Sequence, residues 1–196
     1  MEPQPFAPGE GVYTIGYGNR SPDDFIALLR KYGVTCLVDV RSAPYSKPLP
    51  PQTHSNFNRE FLEATLKEHD IKYVWMGEKL GGRPPDPNCY FKENGRVNYE
   101  AVAGTDFFRE GLYELERLVD NETTVALMCA ELRPEDCHRS KLIAPALKKK
   151  DVPVLHIDET GKLKTQEQVL PPPQLGLFGG NSHSHSRKSY GHRLRK

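Results

Sequence analysis

The sequence predicts a three-layer α/β protein in which helices cover both faces of a mostly parallel sheet of about five strands. Three observations support this fold class. Short apolar segments, typical of buried strands, recur along the chain. They alternate with amphipathic helical segments, as in proteins with a parallel sheet. Polar residues follow the strand segments, where open α/β sheets bind their ligands. The predicted strands are residues 12–15, 35–40, 73–76, 124–128 and 152–157.

The helical segments between these strands carry start and stop signals of their own. Ser21 is a predicted N-cap, Pro22 occupies the first helical position, and Gly33 ends the same helix. A helix from Pro134 is expected to carry a Cys-His-Arg triplet in or near its first turn, and Pro145 to kink or end that helix. Further predicted segments are helices at residues 58–70 and 106–119, a Pro-rich loop at 43–55 and a candidate lid at 81–96.

The composition describes one globular domain with a tail. The chain has 196 residues, of which 37% are hydrophobic and 27% charged, enough to bury a core. We expect residues 1–170 to form the domain and residues 171–196 a disordered tail. No apolar stretch approaches the roughly 18 residues of a membrane span, and the N-terminus lacks signal-peptide features. The sequence therefore predicts a cytoplasmic protein without a membrane partner, whose four cysteines are thiols rather than disulfides.

Polar side chains at the predicted strand ends form the candidate site. Strand alternation places Asp39 and Arg41 on the same side of the second strand. They form either a carboxylate held by a guanidinium at the floor of a ligand cleft, with Arg41 available for a phosphate, or an ion pair that closes the strand end. Gly81 and Gly82 either let backbone approach a ligand or act as a hinge. The predicted substrate-binding residues are Asn19, Arg20, Arg41, Ser42, Gly81, Gly82 and Arg139.

The segment that follows the fourth strand carries the predicted catalytic chemistry. Cys129, Cys137 and His138 supply three donors, but their spacing is unusual for zinc, so the sequence predicts no metal and no cofactor. Two structural cysteines are the alternative to a catalytic role. A helix N-terminus at Cys137 favours an anion and lowers a thiol pKa, and Glu131 with His138 forms an acid/base pair. The predicted catalytic residues are Asp39, Glu131, Cys137 and His138.

Four ordered motifs resemble a known family. They are Thr14-Ile15-Gly16-Tyr17-Gly18-Asn19-Arg20, Leu37-Val38-Asp39-Val40-Arg41-Ser42-Ala43-Pro44, Leu80-Gly81-Gly82, and Cys129-Ala130-Glu131 with Cys137-His138-Arg139. Together they resemble domain of unknown function family 488, a group of small Rossmann-like bacterial and archaeal proteins. The resemblance spans residues 12–168 and implies a Rossmann-like fold with its site at these motifs. The first motif often reads Gly-His-Ser in that family, where this chain has Gly16-Tyr17-Gly18.

The tail points to a partner. From residue 171 onward the chain holds five basic and no acidic residues, so removing the tail from the net charge of +1 leaves the first 170 residues at −4. A basic tail raises affinity for a polyanion. After three prolines, the stretch Gln174-Leu175-Gly176-Leu177-Phe178 resembles the peptide with which bacterial DNA polymerases and repair proteins dock on the sliding clamp. The predicted clamp contacts are Gln174, Leu175, Leu177 and Phe178; alternatively, these residues pack back on the domain.

Three functional hypotheses follow from the sequence. The leading one is a DNA-associated enzyme of repair or base modification, with hydrolytic or glycosidic-bond chemistry, recruited to the sliding clamp. In it Asp39 or Glu131 acts as base or cation stabiliser, His138 as acid, and Arg20, Arg41 and Arg139 contact phosphate or base. The second is a cysteine-dependent enzyme acting on a nucleotide or another small molecule. The third is a non-catalytic adaptor between DNA and clamp.

Overall fold

The computed structural model describes residues 2–45, 57–119 and 122–171. Its centre is a six-stranded sheet in the order β3-β2-β4-β1-β5-β6. The first five strands are parallel, and β6 pairs antiparallel with β5 at one edge. The α/β class and the mostly parallel sheet are confirmed, and the sixth strand is an addition to the prediction. The strands are β1 Val12–Gly16, β2 Cys36–Asp39, β3 Lys72–Trp75, β4 Val125–Cys129, β5 Val154–Ile157 and β6 Leu163–Thr165.

Seven α-helices lie around the sheet in the described part of the chain. The first begins as predicted, because Ser21 accepts a hydrogen bond from the Asp24 N–H and Pro22 stands in its first turn. Short 3-10 helices occupy Pro87–Cys89, inside the predicted lid, and Pro134–Asp136. The α-helices are α1 Pro22–Lys31, α2 Arg59–Glu68, α3 Gly77–Leu80, α4 Tyr99–Ala103, α5 Asp106–Glu116, α6 Ala144–Lys148 and α7 Gln166–Val169.

Alternating strand residues feed two apolar cores, one on each face of the sheet. In β4, Leu127 joins the core formed with α4, α5 and α6, whereas Met128 joins the core formed with α1 and α2. Cys129, one residue further on, lies on the α4–α6 face. Because β4 is between β2 and β1, its carboxyl end is central in the sheet, and whatever follows Cys129 has neighbouring strand ends on both sides.

The segment after β4 differs from the predicted single helix. A 3-10 turn at Pro134–Asp136 is followed by Cys137 in extended conformation, with φ −113° and ψ 151°. A π-helix then covers Arg139–Ile143, and the Ala144 N–H donates to the Arg139 carbonyl. Pro145 falls in the first turn of α6, because it has no N–H to continue an i→i−4 ladder into the preceding segment. The expected helix therefore does not begin at Pro134: the helical segment begins at Arg139, with His138 as its N-cap and the Cys137 carbonyl accepting from the Ser140 and Lys141 N–H groups.

Two further predictions concern membrane spans and the tail. None of the helices in the described ranges is long and apolar enough to cross a membrane. The predicted clamp-binding residues 174–178 lie outside the described residues.

Candidate functional site

The predicted site residues divide between the two faces of the sheet. Asp39 pairs in register with Met128, so both side chains point to the face covered by α1 and α2. Cys129 follows Met128 and points to the opposite face. The sequence predicted one polar cleft with Asp39 opposite Glu131. The structure instead forms two polar groups, an ion pair on the first face and a thiol cluster on the second.

The ion pair of Asp39 and Arg41 is closed. Arg41 donates from Nε to Asp39 Oδ1 at 2.9 Å and from Nη2 to Oδ2 at 2.6 Å. Its Nη1 donates to the Phe57 carbonyl at 2.8 Å, and the Tyr73 hydroxyl donates to Asp39 Oδ2 at 2.8 Å. Asp39 is fully buried and Arg41 is 5% exposed. These contacts favour the structural alternative, since the guanidinium has little donor capacity left for a phosphate.

Burial and the charge of Asp39 both act on the pKa of Arg41 and on that of Tyr73. Burial alone would lower the pKa of Arg41, but the hydrogen bonds and the charge of Asp39 outweigh it and raise that pKa above its usual value. Burial and the Asp39 charge likewise raise the pKa of Tyr73, so its phenol remains a donor at neutral pH. The Trp75 indole donates to the Arg41 carbonyl at 3.0 Å, and this contact extends the network along the end of β3.

The thiol cluster consists of Cys129, Glu131, Cys137 and His138. One potential ligand atom from each residue lies within 4.8 Å of all the others. Cys129 Sγ donates to Glu131 Oε2 at 2.7 Å, and Cys137 Sγ lies 3.2 Å from the same oxygen. His138 Nδ1 lies 3.7 Å from Cys129 Sγ and 3.6 Å from Cys137 Sγ. Cys129, Cys137 and His138 are buried, whereas Glu131 is exposed.

Arg139 contacts the thiol cluster through Cys137 and the backbone of Glu131. It is fully buried, and its Nε donates to Cys137 Sγ at 3.1 Å. Its Nη2 donates to the Glu131 carbonyl at 2.6 Å, and its Nη1 lies 3.4 Å from Thr14 Oγ1. The predicted role of Arg139 as a contact for substrate phosphate is thus replaced by contacts within the protein. Its positive charge is directed at the Cys137 sulfur.

The two thiols differ in acidity. Burial alone would raise the pKa of the Cys137 thiol, but the Cys129 thiol, His138 and the Arg139 charge outweigh burial and lower that pKa. The contact with Cys137 and burial raise the pKa of Cys129. The lowered pKa of Cys137 thus comes first from its contacts with Cys129 and His138, and then from the charge of Arg139.

A polar chain that sequence reasoning missed runs from Arg139 to the edge of the sheet. Thr14 Oγ1 lies 2.8 Å from His156 Nδ1, and His156 Nε2 lies 2.8 Å from Gln166 Oε1. Gln166 Nε2 donates to the Ser140 carbonyl at 2.9 Å. This amide orientation assigns the imidazole proton to Nε2, so Thr14 donates to Nδ1. Burial lowers the pKa of His156 to about 4, which keeps the ring neutral.

Tyr99, at the start of α4, is a second residue that the sequence did not single out. It is half-buried, and burial followed by the charges of Cys137 and Glu131 raises the pKa of its phenol. These charge effects place the side chain near the thiol cluster. The signal available in the sequence was weak, because a single Tyr in a short helical segment has no motif around it.

Two glycines permit close approach to the thiol cluster. A Cβ at Gly16 would lie 1.9 Å from the Glu131 carbonyl oxygen, and a Cβ at Gly82 would lie 2.8 Å from His138 Nδ1. Both positions must therefore be glycine for the backbone to pack as it does. Gly81 packs on Ser42, whose Oγ accepts from the Arg83 N–H at 2.9 Å. The predicted ligand-facing glycines thus contact protein instead.

Asn19 and Arg20 lie at the carboxyl end of β1, apart from the thiol cluster. Both line an open depression of about 460 Å³ beside α1. Arg20 donates to the Gly16 carbonyl at 3.1 Å and to the Asp158 carbonyl at 2.5 Å. These contacts connect the ends of β1 and β5. Asn19 is exposed.

The donor set of the thiol cluster suits a metal ion. Two cysteine sulfurs, one imidazole nitrogen and one carboxylate oxygen are ligands that zinc takes in proteins. The expectation of no metal rested on spacing along the chain. In the folded protein, the distances between these donors are set by the turn of residues 130–136 and not by their number in sequence.

The fold and the site together define an α/β protein with a buried thiol cluster at the carboxyl edge of a mostly parallel sheet. The chain belongs to the family described as domain of unknown function DUF488, which matches residues 21–145. The match covers α1 through the thiol cluster and ends in α6; β1, β5 and β6 lie outside it. No curated protein and no solved structure matches the chain.

Proposed function

We propose that the protein is a DNA-associated enzyme of repair or base modification, with hydrolytic chemistry centred on the thiol cluster. The observation that carries this proposal is the convergence of two thiols, an imidazole and an exposed carboxylate within 4.8 Å at the carboxyl end of the central strand. Such a group can hold and move protons next to a bound substrate. Glu131 is the member that faces solvent, and it is therefore the first candidate for contact with substrate.

The phosphate-binding role passes from the predicted arginines to Arg83 in this proposal. Arg41 and Arg139 are buried and engaged with protein groups. Arg83 is exposed and directly follows Gly82, which packs against His138. A phosphate held by Arg83 would place the attached nucleotide beside the thiol cluster. Arg83→Ala should weaken DNA binding and reduce its salt dependence by about one counterion.

We also propose that the fold is Rossmann-like and that the tail recruits the protein to the sliding clamp. The parallel strands with helices on both faces support the first proposal. The sequence from Gln174 to Phe178, after three prolines and before a basic end, supports the second. A pull-down of the clamp with the native chain and with a Leu177→Ala, Phe178→Ala chain tests recruitment. Equal recovery of the clamp by both chains would remove the support for it.

The enzymatic proposal is tested on DNA directly. Single- and double-stranded oligonucleotides with normal, deaminated and alkylated bases are incubated with the full chain, and mass spectrometry follows released bases and altered nucleosides. Glu131→Gln should reduce conversion by at least about 100-fold, the usual loss when a general base is removed. Glu135→Gln, in the same segment but paired with Arg133, should retain wild-type conversion.

Equal conversion by wild type and Glu131→Gln would contradict a catalytic role for the carboxylate. A chain that carries Glu131→Gln and His138→Ala and still supports full biological function, with clamp binding intact, would leave only the adaptor hypothesis.

A second candidate function is favoured by one observation, the contact of Arg139 Nε with Cys137 Sγ at 3.1 Å. A thiolate held by a buried guanidinium is a nucleophile, so we propose as an alternative a cysteine-dependent enzyme acting on a nucleotide or other small molecule. Alkylation near pH 7 followed by peptide mass spectrometry should modify Cys137 faster than Cys89, a buried thiol outside the thiol cluster. Equal rates, or the absence of protection by nucleotides, would exclude this alternative.

A further inference from the structure

We infer that Cys129, Cys137 and His138 form a zinc site with an open fourth position, and that Glu131 lies beside that position as the base for a metal-bound water. This inference adds a metal ion to the proposed function, and it rests on that proposal only for the substrate. The binding of the ion depends only on the thiol cluster and can be measured without any substrate.

The distances between the donors match a tetrahedral zinc ion. With Zn–S about 2.3 Å and Zn–N about 2.1 Å, a sulfur and a nitrogen on one tetrahedron lie about 3.6 Å apart. His138 Nδ1 lies 3.7 Å from Cys129 Sγ and 3.6 Å from Cys137 Sγ. The imidazole nitrogen thus already lies as far from each sulfur as two ligands of one zinc ion would lie from each other. One ion placed between the three atoms would satisfy all three bonds with little movement.

Glu131 is too close to Cys129 to be the fourth ligand in this arrangement. A sulfur and an oxygen bound to one zinc would also lie about 3.6 Å apart, but Glu131 Oε2 is 2.7 Å from Cys129 Sγ. That separation is about 0.9 Å shorter than the distance between two ligands of one zinc ion. Three protein ligands with an open position are typical of catalytic rather than structural zinc. Glu131 is also the exposed member of the set, so substrate can reach it.

His138 supplies an independent reason for a cation. The side chain is 6% exposed, and its Nε2 is buried without a hydrogen-bond partner within the described ranges. The polar contacts of Nδ1 are the two sulfurs, which are weak hydrogen-bond partners. A metal bond at Nδ1 would give this nitrogen a stronger partner than the two sulfurs and would fix the ring proton on Nε2. The Gly82 backbone, packed against the ring, holds Nδ1 toward the sulfurs.

Charge leads to the same conclusion. The thiol cluster gathers two cysteines and a carboxylate around one point, and the buried cation in contact with them is Arg139, through Cys137. Zinc requires both cysteines as thiolates. It would replace the proton that Cys129 donates to Glu131, which releases that proton to solvent and frees the carboxylate. The ion would then balance the thiolates, and Glu131 would accept from a water at the open position.

The chemistry of such a site is hydrolysis. Zinc lowers the pKa of a bound water, and Glu131 takes the proton from it. The resulting hydroxide would add to the amine-bearing carbon of the base, so that a C–O bond forms as the adjacent ring C=N double bond opens, and Glu131 would deliver the first proton to that ring nitrogen. Glu131 would then take the hydroxyl proton of the adduct and pass it to the exocyclic nitrogen, so that a C=O bond forms as the C–N bond breaks and ammonia leaves. In zinc enzymes that deaminate nucleobases, Cys and His side chains bind the metal and a nearby Glu transfers protons. The substrate class is therefore a nucleobase with an exocyclic amine, and the product is the corresponding carbonyl with ammonia.

The test is the metal content of the full chain, purified without chelator or affinity tag and measured by inductively coupled plasma mass spectrometry. We expect one zinc per chain. Cys129→Ser, Cys137→Ser and His138→Ala should each weaken zinc binding by at least about 100-fold in competition with a chromophoric chelator. Cys89→Ser, which removes a buried thiol outside the thiol cluster, should retain the zinc. A chain with His183→Ala, His185→Ala and His192→Ala should also retain it, which excludes binding by the three tail histidines.

A second measurement does not depend on how well the variants fold. Cobalt substituted into the wild-type chain should show thiolate-to-metal charge-transfer absorption with the intensity of two cysteine ligands and the visible bands of a tetrahedral ion. A folded wild-type chain that retains no zinc after reconstitution would overturn the inference, as would a disulfide between Cys129 and Cys137 in protein isolated without oxygen.

Glu131→Gln decides between an open and a closed site. The variant should retain one zinc and lose deamination of cytosine or adenine in DNA. If it loses the zinc, Glu131 is the fourth ligand and the open position is refuted. If the wild type holds zinc through the three ligands but alters no base, the zinc site stands and the proposed function fails.

Discussion

Replacing Asp39 by Asn tests whether this carboxylate is structural, as its contacts indicate, or catalytic, as its position at the carboxyl end of β2 suggested. The carboxylate accepts from the Arg41 backbone and guanidinium and from the Tyr73 hydroxyl, and it is fully buried. An amide removes the negative charge and presents a donor to Arg41, which leaves a buried guanidinium without its counter-ion. Breaking such a pair costs about 3–5 kcal/mol of unfolding free energy.

Urea denaturation followed by circular dichroism measures this loss. With an m-value of about 2 kcal/mol per molar, the midpoint of Asp39→Asn should fall by about 1.5–2.5 M. Asp106→Asn is the matched control, because Asp106 pairs with Arg109 on the surface, where the two side chains are 87% and 61% exposed. An exposed pair contributes about 0.5 kcal/mol, so the midpoint of the control should move by about 0.3 M or less.

A double variant separates the lost charge from the lost packing. Asp39→Leu with Arg41→Met removes both charges, and apolar replacements of a buried pair are often neutral or stabilising. It should be more stable than Asp39→Asn alone. If the midpoint of Asp39→Asn equals that of wild type while its conversion of DNA bases is lost, the structural interpretation is refuted and Asp39 belongs to the catalytic groups.

Two further predictions concern the surroundings of the thiol cluster. Burial lowers the pKa of His156 to about 4 from an unfolded value near 6.5, so its contribution to stability is present above pH 6.5 and is lost as pH falls toward 4. Unfolding free energies of wild type and His156→Gln, measured across this range, should converge at low pH by about 3 kcal/mol; parallel profiles would contradict a neutral buried His156. Gly82→Ala should cost about 1–3 kcal/mol, because its Cβ would lie 2.8 Å from His138 Nδ1. Gly104→Ala, whose nearest neighbour is 3.4 Å away, should be near neutral by urea midpoint, and equal midpoints for both variants would show that the ring moves freely.

Four of the parallel strands could be predicted from sequence because they are almost entirely buried and therefore read as apolar runs, whereas the edge strand β3 has no buried residue and was predicted from its apolar segment Tyr73-Val74-Trp75. β4, whose five residues are all buried, is an example. The edge strand β6 could not be predicted in the same way. It has three residues, of which only Leu163 is buried, so the apolar run on which the prediction depends is missing. Helices α3, α4 and α7 have four or five residues each, too few for a periodic pattern.

The sequence predicted the residues of the site better than it predicted their arrangement in space. Placing Asp39 and Glu131 in one cleft required the register between β2 and β4, and that register pairs Asp39 with Met128 rather than with Cys129. A shift of one residue reverses which side chains share a face. The helix expected from Pro134 differs for another reason. The 3-10 turn at Pro134–Asp136 ends in an extended Cys137, and the next helical segment, Arg139–Ile143, is a π-helix just before Pro145, which cannot donate to the carbonyl four residues earlier.

Arg139 connects these corrections to the chemistry of the thiol cluster. A helix N-terminus would have polarised Cys137 with partial backbone charges, which any sequence of similar helical propensity could supply. The structure uses a full charge on a buried side chain, positioned by the Glu131 carbonyl and by Thr14. The planar guanidinium contacts the Cys137 sulfur, the Glu131 carbonyl and the Thr14 hydroxyl at once. A lysine has a single nitrogen and could not make all three contacts. The Cys137 sulfur and the Glu131 carbonyl are therefore held by the same residue, so a change at Arg139 would alter the charge and the shape of the thiol cluster together.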